Sequence, residues 1–175
     1  VDVAKVLLDN GADVNAVENK WTALHHAAQG GHVDVAKVLL DNGADVNAVD
    51  DGKFTALHNA AGEGHVDVAK VLIQNGADVN AVQTDKWTAL VLAAQEGHVD
   101  VAKALLRNGA EVNAVCEEKW TALHYAACHG QDDAAKVLLR NGADINAVTF
   151  ENVTATHLAA QCGHVEVAKV LIQNG

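Results

Sequence analysis

Residues 19 to 32, NKWTALHHAAQGGH, hold three histidines, a tryptophan and two consecutive glycines within fourteen positions. Imidazoles at that density could ligate a metal or move protons, because either ring nitrogen binds an ion or exchanges a proton near neutral pH. The second constellation is His124 and Cys128, four residues apart, with His129 adjacent. A thiol beside an imidazole is the minimal pairing for nucleophilic catalysis, and two such groups begin a zinc site. Neither constellation is complete. The second has no third ligand and no carboxylate to orient its imidazole, and Cys116, Cys128 and Cys162 form no C-x-x-C pair. The sequence therefore assigns no catalytic, cofactor-binding or metal-binding residue, and the chain is read as a non-enzyme.

The decisive pattern is recurrence. TALH at 22–25 returns at 55–58 and 121–124, with TALV at 88–91 and TATH at 154–157, each step 33 residues. GHVDVAKVL begins at Gly31 and Gly64, and close relatives of it begin at Gly97, Gly130 and Gly163. GADVNA begins at Gly11, Gly43 and Gly76, with GAEVNA at Gly109 and GADINA at Gly142. One residue is missing between Val17 and Trp21, so the first two copies of GADVNA lie 32 apart. A fixed period changes the meaning of every residue inside it. Eight of the ten histidines fall in two recurring slots: His25, His58, His124 and His157 close T-A-L-H, and His32, His65, His98 and His164 follow glycine. A metal site needs several ligands converging once, whereas a side chain returning in every unit serves the framework.

Each unit reads as helix, turn, helix and finger. Thr22 is placed to cap a short helix whose inward side is alanine and leucine, and Gly31 ends it. In HVDVAKVLLDNG, Asp34, Lys37 and Asp41 form one thin polar stripe while Val35, Ala36, Val38, Leu39 and Leu40 fill the remainder, so this helix needs neighbours on two sides. Gly43 closes it in a left-handed cap, and ADVNAVDDGKF carries turn formers between extended apolar positions, as a hairpin-like finger would.

These motifs resemble the ankyrin repeat along all 175 residues. The resemblance implies an all-α repeat: a solenoid of stacked antiparallel helix pairs with finger-like β-hairpin loops, about five full pairs after a leading half repeat. The expected division of the single array is 1–17 as a partial repeat, then 18–49, 50–82, 83–115, 116–148 and 149–175, the whole being a piece of a longer array. In such a stack stability is a sum over units and the seams between them. The family resemblance also implies recognition of another protein through the concave helix face and the finger tips. It further allows hydroxylation of Asn15, Asn47, Asn80, Asn113 or Asn146, although a structural role in the finger turn is the first reading of those asparagines.

If the repeated positions are framework, partner contacts fall where units differ and remain exposed. The residue before the T-A-L-H threonine is Trp21, Phe54, Trp87, Trp120 or Val153; these rings either pack finger against finger or form a ladder spaced by roughly the 8 to 10 Å of packed helices. The residue after T-A-L-H is His26, Asn59, Leu92, Tyr125 or Leu158. A third slot, after A-A, includes Glu63, Glu96, Cys128, His129 and Cys162. The candidate partner-binding residues are thus Trp21, Phe54, Trp87, Trp120, His26, Asn59, Leu92, Tyr125, Glu63, Glu96 and His129. Acidic tips at Glu18, Asp50, Asp51, Asp85, Glu117, Glu118 and Glu151 suit a basic or mixed partner with an apolar anchor.

Composition narrows the classes of partner. A formal charge of −11 without a basic run argues against a nucleic-acid surface and against anionic membrane. No apolar stretch is long enough to span a bilayer, so direct membrane insertion is not expected. Scattered cysteines indicate a reducing, intracellular and cytoplasmic setting. The alternatives to a partner-binding scaffold are a structural or spring-like segment of a larger membrane-associated or effector protein, or an engineered ankyrin binding scaffold. Two departures from the family pattern bear on stability. Alanine stands at 23, 56, 89, 122 and 155 where the family has proline, and Thr156, Asp132 and Ala134 replace larger apolar residues, which predicts that the last repeat frays first.

Overall fold

A computed structural model describes residues 5–6 and 10–175. Of the half repeat expected over 1–17, residues 1–4 and 7–9 therefore lie outside the described residues. A short hairpin comes first, β1 (Val17–Glu18) pairing antiparallel with β2 (Trp21–Thr22). Five helix pairs follow: α1 (Ala23–Gln29) with α2 (Val33–Asp41), α3 (Ala56–Gly62) with α4 (Val66–Gln74), α5 (Ala89–Glu96) with α6 (Val99–Arg107), α7 (Ala122–Cys128) with α8 (Asp132–Arg140), and α9 (Ala155–Gln161) with α10 (Val165–Asn174).

The first helix of each pair is only seven or eight residues long, too short to persist without capping and packing. Its cap is reciprocal in four units. The Thr22 hydroxyl accepts from the His25 amide at 3.4 Å, and the Thr22 amide donates to Nδ1 of His25 at 3.2 Å. Thr55 with His58, Thr121 with His124 and Thr154 with His157 repeat the arrangement. The turn to the second helix needs glycine for two reasons: Gly64 has φ +78, and a Cβ there would lie 2.6 Å from the ring of His98 in the next unit. Second helices end in asparagine followed by a left-handed glycine, as at Asn42 and Gly43, where the amide of Ala44 reaches back to the carbonyl of Leu39 at 3.0 Å.

Small residues set the spacing. Ala27, Ala28, Ala60, Ala61, Ala93, Ala94, Ala126 and Ala127 are buried, and Leu24, Leu57, Leu90 and Leu123 lie among them. These alanines let neighbouring first helices pack side by side. Burial of this cluster is continuous from Leu24 to Leu171, with each helix pair packed on the pair before and after it.

Among the described residues only the first finger has paired strands. The others are closed by turn bonds without strand pairing, such as the Gln83 amide to the Trp87 carbonyl at 3.1 Å and the Lys86 amide to the Gln83 carbonyl at 2.9 Å, and are tied sideways to their neighbours. The amides of Thr84, Glu117 and Phe150 donate to the carbonyls of Gly52, Asp85 and Glu118 in the preceding fingers, at 3.0, 3.3 and 3.1 Å. The asparagines differ from the expectation that each stabilises its own finger turn. Nδ2 of Asn47 donates to the carbonyl of Gly76 at 3.2 Å, and its Oδ1 accepts from the amide of Asp78 at 2.9 Å, both in the next unit. Asn15, Asn80 and Asn113 do the same. Their side chains are seam contacts.

Candidate functional site

The histidines divide by direction. Those of T-A-L-H reach forward: Nε2 of His25, His58 and His124 bonds the carbonyls of Phe54, Trp87 and Val153 at 3.1, 3.2 and 3.2 Å. Those after glycine reach back: Nε2 of His65, His98 and His164 bonds the carbonyls of Gln29, Gly62 and Cys128 at 3.0, 3.0 and 2.9 Å. A carbonyl only accepts, so each Nε2 carries the proton. In the T-A-L-H set Nδ1 then accepts from its own threonine, as at Thr55, 2.9 Å away. Burial lowers the pKa of His58 and of His124 below the ordinary imidazole value, only partly offset by those backbone bonds. Both nitrogens of His124 are engaged, so it cannot orient Cys128 as a base. Among the described residues no three His, Cys, Asp or Glu side chains gather as a metal ion requires.

The unit-specific side chains lie along the row of first helices and the bases of the fingers. Trp21, Phe54, Trp87 and Trp120 are half-buried rather than free. Each reaches something definite: Nε1 of Trp21 donates to Oδ2 of Asp50 in the next finger at 3.0 Å, and Phe54 meets the His58 ring edge-on at 5.8 Å. The rings do not form one even ladder. Trp21 pairs with His26 at 5.0 Å, whereas Trp87, Tyr125 and Trp120 gather in one group, with Tyr125 at 4.5 Å from Trp87 and 5.0 Å from Trp120. Leu92 is half-buried, while Glu63, Glu96 and His129 are exposed. Nδ2 of Asn59 is buried without a hydrogen-bond partner, a destabilising group that the helix itself does not need.

The Trp87, Tyr125 and Trp120 group opens into a hollow of about 290 Å³ whose rim is Asp85, Glu117 and Glu118. Burial, reinforced by Cys116 and Glu118, raises the pKa of the Tyr125 hydroxyl, which therefore stays neutral. Beside it, the Cys116 thiol is pushed up to about 11 by burial. A second hollow of about 440 Å³ lies one unit on, lined by Trp120, Cys128, Phe150, Leu158 and Cys162 among others. Acidic tips are not equivalent. Asp50 holds its own finger by accepting from the amides of Gly52 and Phe54 at 2.8 and 2.9 Å, and Asp51 pairs with Lys20 at 2.6 Å. Asp85, Glu117, Glu118 and Glu151 are exposed.

Two features lie beyond the sequence reading. Phe150, 67 % exposed, is capped by Nζ of Lys119 at 5.1 Å from the ring centre; it sits at the finger tip rather than in the slot where the other rings recur, so periodicity could not select it. The sulfurs of Cys128 and Cys162 lie 3.8 Å apart across a seam. A spacing of 34, one period plus one residue, was the available signal.

No helix among the described residues is long and apolar enough to cross a membrane. A search of curated proteins finds no match. The family model described as "Ankyrin repeats (3 copies)" matches residues 1–83, 79–149 and 116–175. Ankyrin repeats are in general protein–protein interaction modules and are typically non-catalytic. Helix pairs, laterally tied fingers, and histidine and asparagine seams recurring every 33 residues agree with that match, and the chain belongs to the ankyrin-repeat family.

Proposed function

We propose that this chain is a non-catalytic binding scaffold that holds a partner protein along its row of first helices and the bases of its fingers. The observation that carries the reading is the gathering of Trp87, Tyr125 and Trp120 beneath Asp85, Glu117 and Glu118. Half-exposed aromatic rings supply most of the binding energy at protein interfaces, and their faces attract cations. A carboxylate rim steers a basic partner toward them. The favoured partner segment therefore carries lysine or arginine beside an apolar anchor. Trp21, Phe54, His26, Asn59, Leu92, Glu63, Glu96 and His129 extend the contact surface to either side. The charge of −11 supports the same polarity of partner.

A pull-down comparing the intact chain with a Trp87→Ala, Trp120→Ala, Tyr125→Ala variant tests this, with helical circular dichroism of the variant checked first. Partners recovered by the intact chain and lost by a folded variant are expected. Equal recovery by both would remove the aromatic group from the binding surface.

A further inference from the structure

We infer that Cys128 and Cys162 are a redox-modifiable pair that closes into a disulfide between the fourth and fifth helix pairs when oxidised glutathione is supplied. One sulfur stands on the last residue of α7 and the other on the residue capping α9, with the two Sγ atoms 3.8 Å apart. The two helices belong to neighbouring units and pack side by side. Nε2 of His164 bonds the carbonyl of Cys128 at 2.9 Å, so the seam ties the backbone at Cys128 to the unit that carries Cys162. A disulfide bond of about 2.05 Å requires the sulfurs to approach by roughly 1.8 Å, a movement that side-chain torsions and a small helix shift supply.

Neither position is framework. The slot of Cys128 holds Gln29, Gly62, Gln95 and Gln161 elsewhere, and that of Cys162 holds Gly30, Glu63, Glu96 and His129. Access is unequal: Cys162 is exposed, Cys128 is partly covered and Cys116 is buried. Burial also raises the pKa of Cys128, which makes Cys162 the first to react. Its thiolate attacks one sulfur of the small disulfide and expels one glutathione thiolate, which takes up a proton. Cys128 loses its proton to water, attacks Sγ of Cys162 and expels the second glutathione. The two cysteines give up two electrons and two protons, and one oxidised glutathione becomes two reduced ones. Both sulfurs line the hollow that Trp120 and Phe150 share, so the bond narrows it and ties α9 to α7. The inference is independent of the partner-binding reading.

The fully reduced chain, equilibrated with oxidised glutathione, is denatured and alkylated with iodoacetamide. Expected are one label, on Cys116, in place of three, a mass before alkylation lower by two hydrogens, and exchange of α9 and α10 amides slowed at least about tenfold relative to the reduced chain. Dithiothreitol restores all three labels. Cys128→Ser and Cys162→Ser, each checked for helical content, show no slowing. Retention of three labels, a stable glutathione adduct, a covalent dimer, or slowing in either serine variant would overturn the inference.

Discussion

Nε2 of His58 donates to the main-chain carbonyl of Trp87, 3.2 Å away in the next unit, while Nδ1 of the same ring accepts from the Thr55 hydroxyl at 2.9 Å. One buried ring thus caps its own helix and fastens the following finger. In the third full unit Val91 takes this slot, and Thr88 keeps only the bond from the Val91 amide at 3.3 Å. The Trp120 carbonyl there accepts from the Cys116 amide at 2.8 Å and has no ring to receive. Val91→His is expected to stabilise the array by roughly 0.5 to 1.5 kcal/mol, the net worth of an added hydrogen bond. Urea unfolding measures it, and an unchanged or lower midpoint would count against the forward seam.

Acidification follows from the same burial. His58 and His124 bind a proton less readily in the folded chain than at the ordinary imidazole value of 6.5. Below that pH the unfolded chain takes up more protons than the folded one, so stability is full above it and falls as pH drops from there toward the folded-state values. This window opens above the range in which carboxylates titrate. The urea midpoint should be lower at pH 5 than at pH 7.5, and the difference should shrink in a His58→Val, His124→Val variant. An equal difference in both proteins would place the proton uptake elsewhere.

The fingers carry a cost absent from any pattern of apolar residues. Lys20, Lys53, Lys86 and Lys119 have φ of 62, 61, 62 and 60, and Asn152 has 59, a left-handed conformation that disfavours residues with a side chain. Lys86 is exposed, and its amide bond to the Gln83 carbonyl at 2.9 Å would survive replacement. Lys86→Gly should stabilise the fold by up to about 1 kcal/mol. Thermal unfolding checks it, and a lower melting temperature would contradict it.

At the head of α5, Thr88 is extended, with φ −101 and ψ 164, the conformation that a following proline demands. Ala89 is the first helical residue, whose amide has no partner within the helix. Ala89→Pro is therefore expected to gain about 0.4 to 1 kcal/mol by restricting the unfolded chain. Calorimetry reporting an unchanged or lower melting temperature would refute it.

Much of this was legible from spacing alone. Thr22 as a cap, Gly43 as a left-handed stop and the histidines as framework all follow from a motif that returns every 33 residues, because only a shared structural duty recurs. What spacing could not supply is direction across the seam. That Asn47 serves Gly76 and Asp78, or that His65 reaches back to Gln29, depends on how far one unit is offset from the next. The same offset decides which rings meet. Trp87 and Trp120 lie one period apart, yet they gather because Tyr125 stands between them, while Trp21 turns to Asp50. Asp50 and Asp85 looked alike as acidic tips, but they hold different places in the finger: Asp50 accepts from the turn amides, a place taken by Gln83 one period on, while Asp85 is exposed.

The division of labour between repeated and unit-specific residues is tested most directly by one titration. A peptide is selected from a phage-displayed library on the intact chain and titrated calorimetrically into that chain, into the Trp87→Ala, Trp120→Ala, Tyr125→Ala variant, and into His58→Val. The selected peptide should be rich in lysine or arginine beside an apolar residue. Its affinity should fall at least about tenfold for the triple variant and stay within about twofold for His58→Val, whose melting temperature falls instead. Equal affinity for all three proteins, or a loss confined to His58→Val, would contradict the account.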